Sequence, residues 1–519
     1  MGKKIYQIII ISIVFVSSNC LIWSPVCLGQ QKEAVKIATQ PSTHDRKKHS
    51  TQDKLSITEH KLKVNGRTIK YTATAGFLQT KDEADKPRAD LFFIAYERKG
   101  GDDKARRPIT FVFNGGPGAS SVFLHLGAIG PKRVLLGEQG TELPPNVKLV
   151  NNDYTWLGFT DLVFVDPVGT GYSHAAQGVD AKQFCGVEED TRLAAEFIRR
   201  YITGYKRWLS PKFIAGESYG ATRAAALSGY LQNNMNMYLS GLILISPALN
   251  FQTLRFNPGN DLPCVLYLPT YTATALYHKK LSPELQTSPE KSLEKAEAWA
   301  ESEYAAALLK GDKLSAAERT NIAEKLSFYT GISKSFAANS NLRINQSRFA
   351  KEILRSERRT AGILDSRVKG IDSDSAGEYS AFDPALFLTT GPYAAGMNDY
   401  VRNELKYEHD QPYEVLNLKV NREWNWGSAA QGYVNVSETL REAMSKNTHL
   451  KVFIACGYYD LATPYCASRY TVNHLGLDPV LRDNIVITYY DSGHQLYTHL
   501  PSLIKMTNDA AAFVNKAYQ

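Results

Sequence analysis

Long apolar runs are nearly absent from this chain of 519 residues. One lies at the N-terminus, and beyond it no run approaches the roughly 20 residues that a membrane-crossing helix needs, so no transmembrane helix is expected there. No His-Glu-x-x-His and no cluster of His and Cys occurs, which removes a metallohydrolase reading and leaves no metal or cofactor to be expected. Basic residues do not gather with aromatics, so the net charge of +8 reads as solubility, and no nucleic-acid partner is expected. Internal repeats are also missing. What is present, 43% hydrophobic and 22% charged residues, is the composition of an ordinary globular protein with a sizeable core.

Residues 1–29 read as a secretory signal. Lys3 and Lys4 form a positive start, residues 8–16 an apolar core, and Cys27-Leu28-Gly29 a small-residue cleavage site. Ser17-Ser18-Asn19 interrupts the apolar core, which argues against a membrane anchor. A lipoprotein reading through Cys20 is the alternative, with Asn19 before it a poor fit. The protein is therefore expected to be exported, periplasmic or secreted, without stable membrane insertion after cleavage. Four cysteines remain past residue 29: Cys185, Cys264, Cys456 and Cys466. In an exported protein they suggest disulfides. The expected pairs are Cys456–Cys466, which flank a short loop, and Cys185–Cys264; buried free thiols are the alternative.

Residues 30–55 are polar and read as a flexible lead-in. Around Asn65-Gly66, residues 61–70 alternate in the manner of a β-hairpin, and 91–96 continue as strand. Short apolar runs then recur at 109–113, 162–165, 213–215 and 242–245, and again at 451–455 and 485–490. Unbroken apolar runs of this length suit strands buried on both faces of a parallel sheet. Residues 187–201 carry Leu193, Phe197, Ile198 and Tyr201 at helical spacing. The pattern predicts one doubly covered, mostly parallel α/β sheet with N-terminal antiparallel strands, formed by residues 56–250 and 397–519. A mostly helical cap insertion, 251–396, would sit over its C-terminal edge.

Chemistry concentrates at the loops after these strands. Gly216-Glu217-Ser218-Tyr219-Gly220 follows Lys212-Phe213-Ile214-Ala215 and precedes an Ala-rich helical stretch, the context of a nucleophile elbow. Asn114-Gly115-Gly116-Pro117-Gly118 follows the strand at 109–113, where backbone N–H groups can supply half of an oxyanion hole. Gly457-Tyr458-Tyr459-Asp460 and Asp491-Ser492-Gly493-His494 end two later strands. Ser218, Asp460 and His494 thus occur in the order Ser…Asp…His of an α/β-hydrolase, each just past a strand. In that arrangement His494 takes the Ser218 proton, Asp460 orients the imidazole, and the N–H groups of Gly116 and Tyr219 hold the oxyanion.

Four blocks carry a family resemblance: Asn114 to Ser121, Asp166-Pro167-Val168-Gly169-Thr170-Gly171-Tyr172-Ser173, Gly216 to Gly220, and Gly493-His494. Together they resemble the signature blocks of the serine carboxypeptidase family, from about Leu62 to the C-terminus. The resemblance implies an α/β-hydrolase fold with a helical cap and removal of residues from peptide C-termini, often at acidic pH. It implies Ser218, Asp460 and His494 as the triad, and Asn114, Gly115 and Glu217 as binders of the substrate's terminal carboxylate. Glu217 suits that role only when protonated, because two unpaired anions in contact repel. One position departs. Where members of the family carry a second glutamate, fourteen residues after Asn114, this chain has Ala128, which puts the acid preference and recognition of a free C-terminus in question. The alternative readings are an esterase or acyltransferase on the same triad, and a catalytically silent binding protein. Tyr393, Asn398, Trp424 and Trp426 are candidates to line the pocket.

Overall fold

The computed structural model describes residues 55–518 apart from 65, 101–102, 144 and 428–431. The expected signal (1–29) and all but the last residue of the lead-in lie outside the described residues.

A ten-stranded sheet organises the molecule. Its long strands are β1 (Ser56–Val64), β2 (Arg67–Lys81), β3 (Pro87–Arg98), β4 (Ile109–Phe113), β5 (Asp161–Val165), β6 (Lys212–Glu217), β7 (Gly241–Ile245), β8 (Lys451–Gly457) and β9 (Ile485–Tyr490). They lie in the order β1-β2-β3-β5-β4-β6-β7-β8-β9, and the two-residue strand His174–Ala175 pairs beside β3. β1, β2, β3 and β5 are joined antiparallel, whereas β5-β4-β6-β7-β8-β9 is parallel throughout. The hairpin predicted at Asn65-Gly66 closes with Val64 opposite Arg67 and Gly66 at φ 77°, a conformation open to glycine at little cost.

Alternate residues of each parallel strand feed two different cores. Phe111, Phe113, Leu242, Leu244 and Ile454 enter one; Val112, Ile243, Ile245, Phe453 and Ala455 enter the other. This is why those runs are apolar without alternation: both faces are covered. Helices α1 (Val187–Gly204) and α2 (Tyr219–Met235) pack on the first face, with Phe197, Ile198, Leu227 and Leu231 buried. The second face is closed by α5 (Leu500–Ala517) through Leu503, Met506 and Val514, and by Tyr393 and Met397 of α4 (Pro384–Asn403).

Between β7 and β8 most of the chain is helical, including α3 (Leu262–Tyr277). Within this segment the helical run Pro289–Lys310 carries a wider turn at Ala300–Tyr304. Residue 396, the expected end of the insertion, falls inside α4. Two small sheets, Lys132–Val134 with Leu149–Asn151 and Arg359–Ala361 with Lys369–Ile371, were not foreseen; three residues are too few to show a period.

The disulfide expectation is overturned. Cys185, Cys264, Cys456 and Cys466 are all buried and free. Burial raises each thiol, Cys264 and Cys456 to about 12, so these are core-filling side chains that stay protonated.

Candidate active site

Every parallel strand ends on the same rim, and the chemistry-bearing loops leave from there. Asn114 follows β4, Ser218 follows β6, Asp460 lies three residues past β8 and His494 four past β9. β4 and β6 are neighbours, while β7 separates β6 from β8.

Ser218 stands at φ 60°, ψ −122° between β6 and α2, a strained backbone for a residue with a side chain. Both elbow glycines are dictated by space. A Cβ at Gly216 would lie 2.1 Å from the Gly220 carbonyl oxygen, and one at Gly220 would lie 2.5 Å from that of Phe113. The Ser218 N–H is held by the Ile245 carbonyl (3.0 Å), so the end of β7 fixes the turn. Ser218 itself is half-buried and Glu217 buried.

The end of β7 also reaches the histidine. Ser246 Oγ donates to the His494 carbonyl (2.7 Å). Asp460 is fully buried, and its Oδ2 lies 2.7 Å from His494 Nδ1. A carboxylate can only accept, so Nδ1 carries the proton and Nε2 is left as the acceptor. Asp460 is itself pinned. Its Oδ1 accepts the N–H groups of Ala462 and Thr463 (2.8 Å each), and Thr463 Oγ1 lies 2.7 Å from Oδ2 and 2.9 Å from the Ser246 carbonyl. Burial alone would lower the His494 imidazole. The Asp460 charge and hydrogen bond, joined by Glu217 and Asp383, outweigh it and raise the imidazole above its usual value.

Beside the elbow, the β4 loop approaches as closely as backbone can. A Cβ on Gly115 would lie 2.5 Å from the Tyr219 nitrogen and 2.8 Å from Ser218 Cβ, so only glycine fits. Gly116 follows at φ 101°. Tyr219 opens α2, where an N–H has no acceptor in its own helix. Asn114 anchors this loop. Its Oδ1 accepts the Leu124 N–H (2.9 Å) and its Nδ2 donates to Glu217 Oε1 (2.9 Å). Its carbonyl accepts from Arg223 Nη1 (2.9 Å), and Arg223 in turn is paired with buried Asp190 (2.8 Å).

Glu217 is a buried carboxyl on this rim. Burial pushes its carboxyl up to about 7, against the lowering influence of His494, Tyr497 and Asn114. Its Oε2 and the neighbouring Tyr497 hydroxyl are buried without a well-formed hydrogen bond. A neutral carboxylic acid with one oxygen spare can donate to an incoming carboxylate.

Of the expected pocket residues, Tyr393 is buried with its hydroxyl over Gly127. Trp424 and Trp426 pack edge-on against the Tyr219 ring, at 5.2 and 6.0 Å between centroids. Asn398 is instead tied to its own helix, through Ala394 and Arg402. Ala128 is buried in the turn His125–Ile129, where its carbonyl accepts from Asn152. Sequence reading missed Ser246, Thr463, Arg223 and Tyr497. Thr463 had a legible signal, since Asp followed by Thr three residues on, in a loop, is a capping pattern. Tyr497 likewise stands only three residues past His494.

The profile of the serine carboxypeptidase family matches residues 64–493. A pheromone-processing carboxypeptidase of Sordaria macrospora is 37% identical over 225 residues, covering 38% of this chain and 31% of that protein. A carboxypeptidase Y homolog of Arthroderma benhamiae is 30% identical over 170 residues, 31% of this chain and 30% of the relative. The chain thus spans less than a third of the length of these relatives. The crystal structure of Kex1(Δ)p, a prohormone-processing carboxypeptidase of Saccharomyces cerevisiae, covers 86% of this chain and 91% of its own at TM-score 0.54 and 15% identity, a likeness of fold. With an α/β-hydrolase sheet and a family match running from the first hairpin to Gly493, the chain belongs to the serine carboxypeptidase family.

Proposed function

We propose that the protein releases C-terminal residues from peptides through an acyl-enzyme on Ser218. The observation that carries the reading is the buried Asp460–His494 pair at 2.7 Å, on the same rim as a serine held on a strained elbow. His494 Nε2 takes the Ser218 proton as Oγ attacks the last peptide carbonyl, and Asp460 stabilises the imidazolium. The N–H groups of Gly116 and Tyr219 receive the oxyanion, each such donor being worth roughly 3 kcal/mol. His494 then passes the proton to the leaving amine, and water releases the shortened peptide.

Asn114, Gly115 and protonated Glu217 hold the terminal carboxylate in this reading. With Glu217 near 7, its ionisation above about pH 7 sets like charge against the substrate, so trimming falls on the alkaline side without a second glutamate at Ala128. Export follows from residues 1–29, and peptides outside the cytoplasm are the substrates. The test is a set of blocked dipeptides and matched esters lacking a carboxylate, assayed between about pH 4 and pH 8, a span in which carboxyl and imidazole groups titrate. Peptide trimming that declines above about pH 7 while ester cleavage persists is expected. Ready ester cleavage with no peptide trimmed at any pH would select an esterase or acyltransferase instead. Failure of Ser218 to react with a fluorophosphonate would leave only a silent binding protein.

A further inference from the structure

A cavity of about 200 Å³ is lined by Tyr393 and Tyr497, the two tyrosines whose phenols feel the Glu217 charge, and nothing in the proposed chemistry uses its most charged residue. Gly127, Tyr393 and Tyr497 form its inner end. A Cβ on Gly127 would lie 2.4 Å from the Tyr497 ring and 2.8 Å from the Tyr393 hydroxyl, so both rings close over that glycine. Val134, Leu136 and Leu500 give it aliphatic walls. Arg133 lines it as well, and its Nε is buried with no hydrogen-bond partner. An unpartnered guanidinium nitrogen is costly to bury. The fully buried Arg223 is matched by Asp190, whereas the half-buried Arg133 has only the Tyr154 ring, 6.0 Å from its guanidinium carbon. Burial raises the Tyr393 phenol, which also feels the Glu217 carboxyl and the Arg133 guanidinium, so both charges lie near it. The acidic residue of the lining, Glu138, is exposed and so faces solvent.

Resting on the carboxypeptidase reading above, we propose that this cavity receives the side chain of the residue being released and that Arg133 selects an acidic one, aspartate or glutamate. With the terminal carboxylate at Asn114 and Glu217, a second carboxylate on a short aliphatic stem passes Tyr393 and meets Arg133. The aliphatic walls cover the stem, the Tyr497 and Tyr393 hydroxyls are available as donors, and the guanidinium forms a charge-assisted pair. A lysine side chain would place like charge against Arg133, and leucine would leave the buried Arg133 Nε without an acceptor.

The experiment compares three blocked dipeptides that differ only in their last residue, Glu, Leu or Lys, at about pH 6, below the value of about 7 at which Glu217 loses its proton. Wild-type kcat/KM is expected to be about tenfold or more higher for Glu than for Leu, the range of a hydrogen bond to a charged group, and lowest for Lys. Arg133→Met should reduce kcat/KM for the Glu peptide at least tenfold more than for the Leu peptide, and Arg133→Lys should restore part of the difference. Should the variants fail to fold, free glutamate inhibiting wild-type cleavage of the Leu peptide more strongly than free leucine supports the same assignment. Equal rates for Glu and Leu in the wild type, or equal loss on all three peptides in Arg133→Met, overturns the acidic preference while leaving the carboxypeptidase reading intact. Absence of cleavage on all three peptides overturns both.

Discussion

A buried carboxylate at each end of the parallel sheet, Asp161 at one and Glu217 at the other, is partnered to a different degree. At the N-terminal end, Asp161 opens β5 and is gripped from both sides. Arg107 Nε donates to its Oδ1 (2.6 Å) and Arg207 Nη1 to its Oδ2 (2.7 Å). The remaining guanidinium donors reach Leu157, Ser210 and Arg107 backbone or side-chain oxygens. At the C-terminal end, Glu217 Oε2, Tyr497 Oη and Arg133 Nε are buried without such partners. Saturated networks hold a fold together; unsaturated ones are tolerated where a ligand supplies the missing partner. The comparison predicts which losses should unfold the protein and which should silence it.

The sharpest break in that comparison is Asp460→Asn. Its rim position and tie to His494 make it a positioning group, so we expect kcat on peptide and ester to fall about 10⁴-fold, with fluorophosphonate labelling slowed in parallel and the melting temperature little changed. At the other end, Asp161→Ala leaves two buried guanidinium groups unpaired and should cost about 3–5 kcal/mol in urea unfolding. Activity per folded molecule should stay near wild type, and a large drop in it would erase the distinction between the two ends.

Glu217→Gln tests the rim from the stability side. Burial pushes the folded carboxyl up to about 7 from its ordinary 4.5. Between those pH values the folded chain keeps a proton that the unfolded chain releases, so stability falls as pH rises through the window. The loss amounts to about 3 kcal/mol at pH 8. Glutamine cannot ionise, so the variant should be more stable than wild type at pH 8 by that amount and equal to it near pH 4, read by urea melts at both. The smallest effect is expected from Thr463→Val. It removes one hydroxyl from the Asp460–Ser246 bridge and should lower kcat about five- to tenfold, near 1 kcal/mol, with KM unchanged.

Several features of the site were legible because they are local. Gly216 and Gly220 are required by contacts within a single turn and with the adjoining strand, so the elbow shows as five letters. The parallel strands show as apolar runs because both of their faces are covered, and Asp460 and His494 follow two of them. Cysteines misled. An even count in an exported chain suggests pairing, yet Cys456 sits on β8 with its side chain in the core and Cys264 in the first turn of α3. Packing chose thiols there, and spacing along the chain carries no record of that choice.

By itself, the order of residues determined where the chain turns, which runs become buried strands, and which loops carry a hydroxyl, an imidazole, a carboxylate and a glycine-rich backbone. Those are short-range consequences of sterics and apolar periodicity. Tertiary structure alone decided that Ser246 would bind the His494 carbonyl across 248 positions, that Thr463 would bridge Asp460 to the end of β7, and that Arg133 and Tyr393, from a small sheet and a distant helix, would line one cavity with Tyr497. Such contacts depend on how layers stack over the sheet, and partners so far apart in the chain share no local pattern that could announce them.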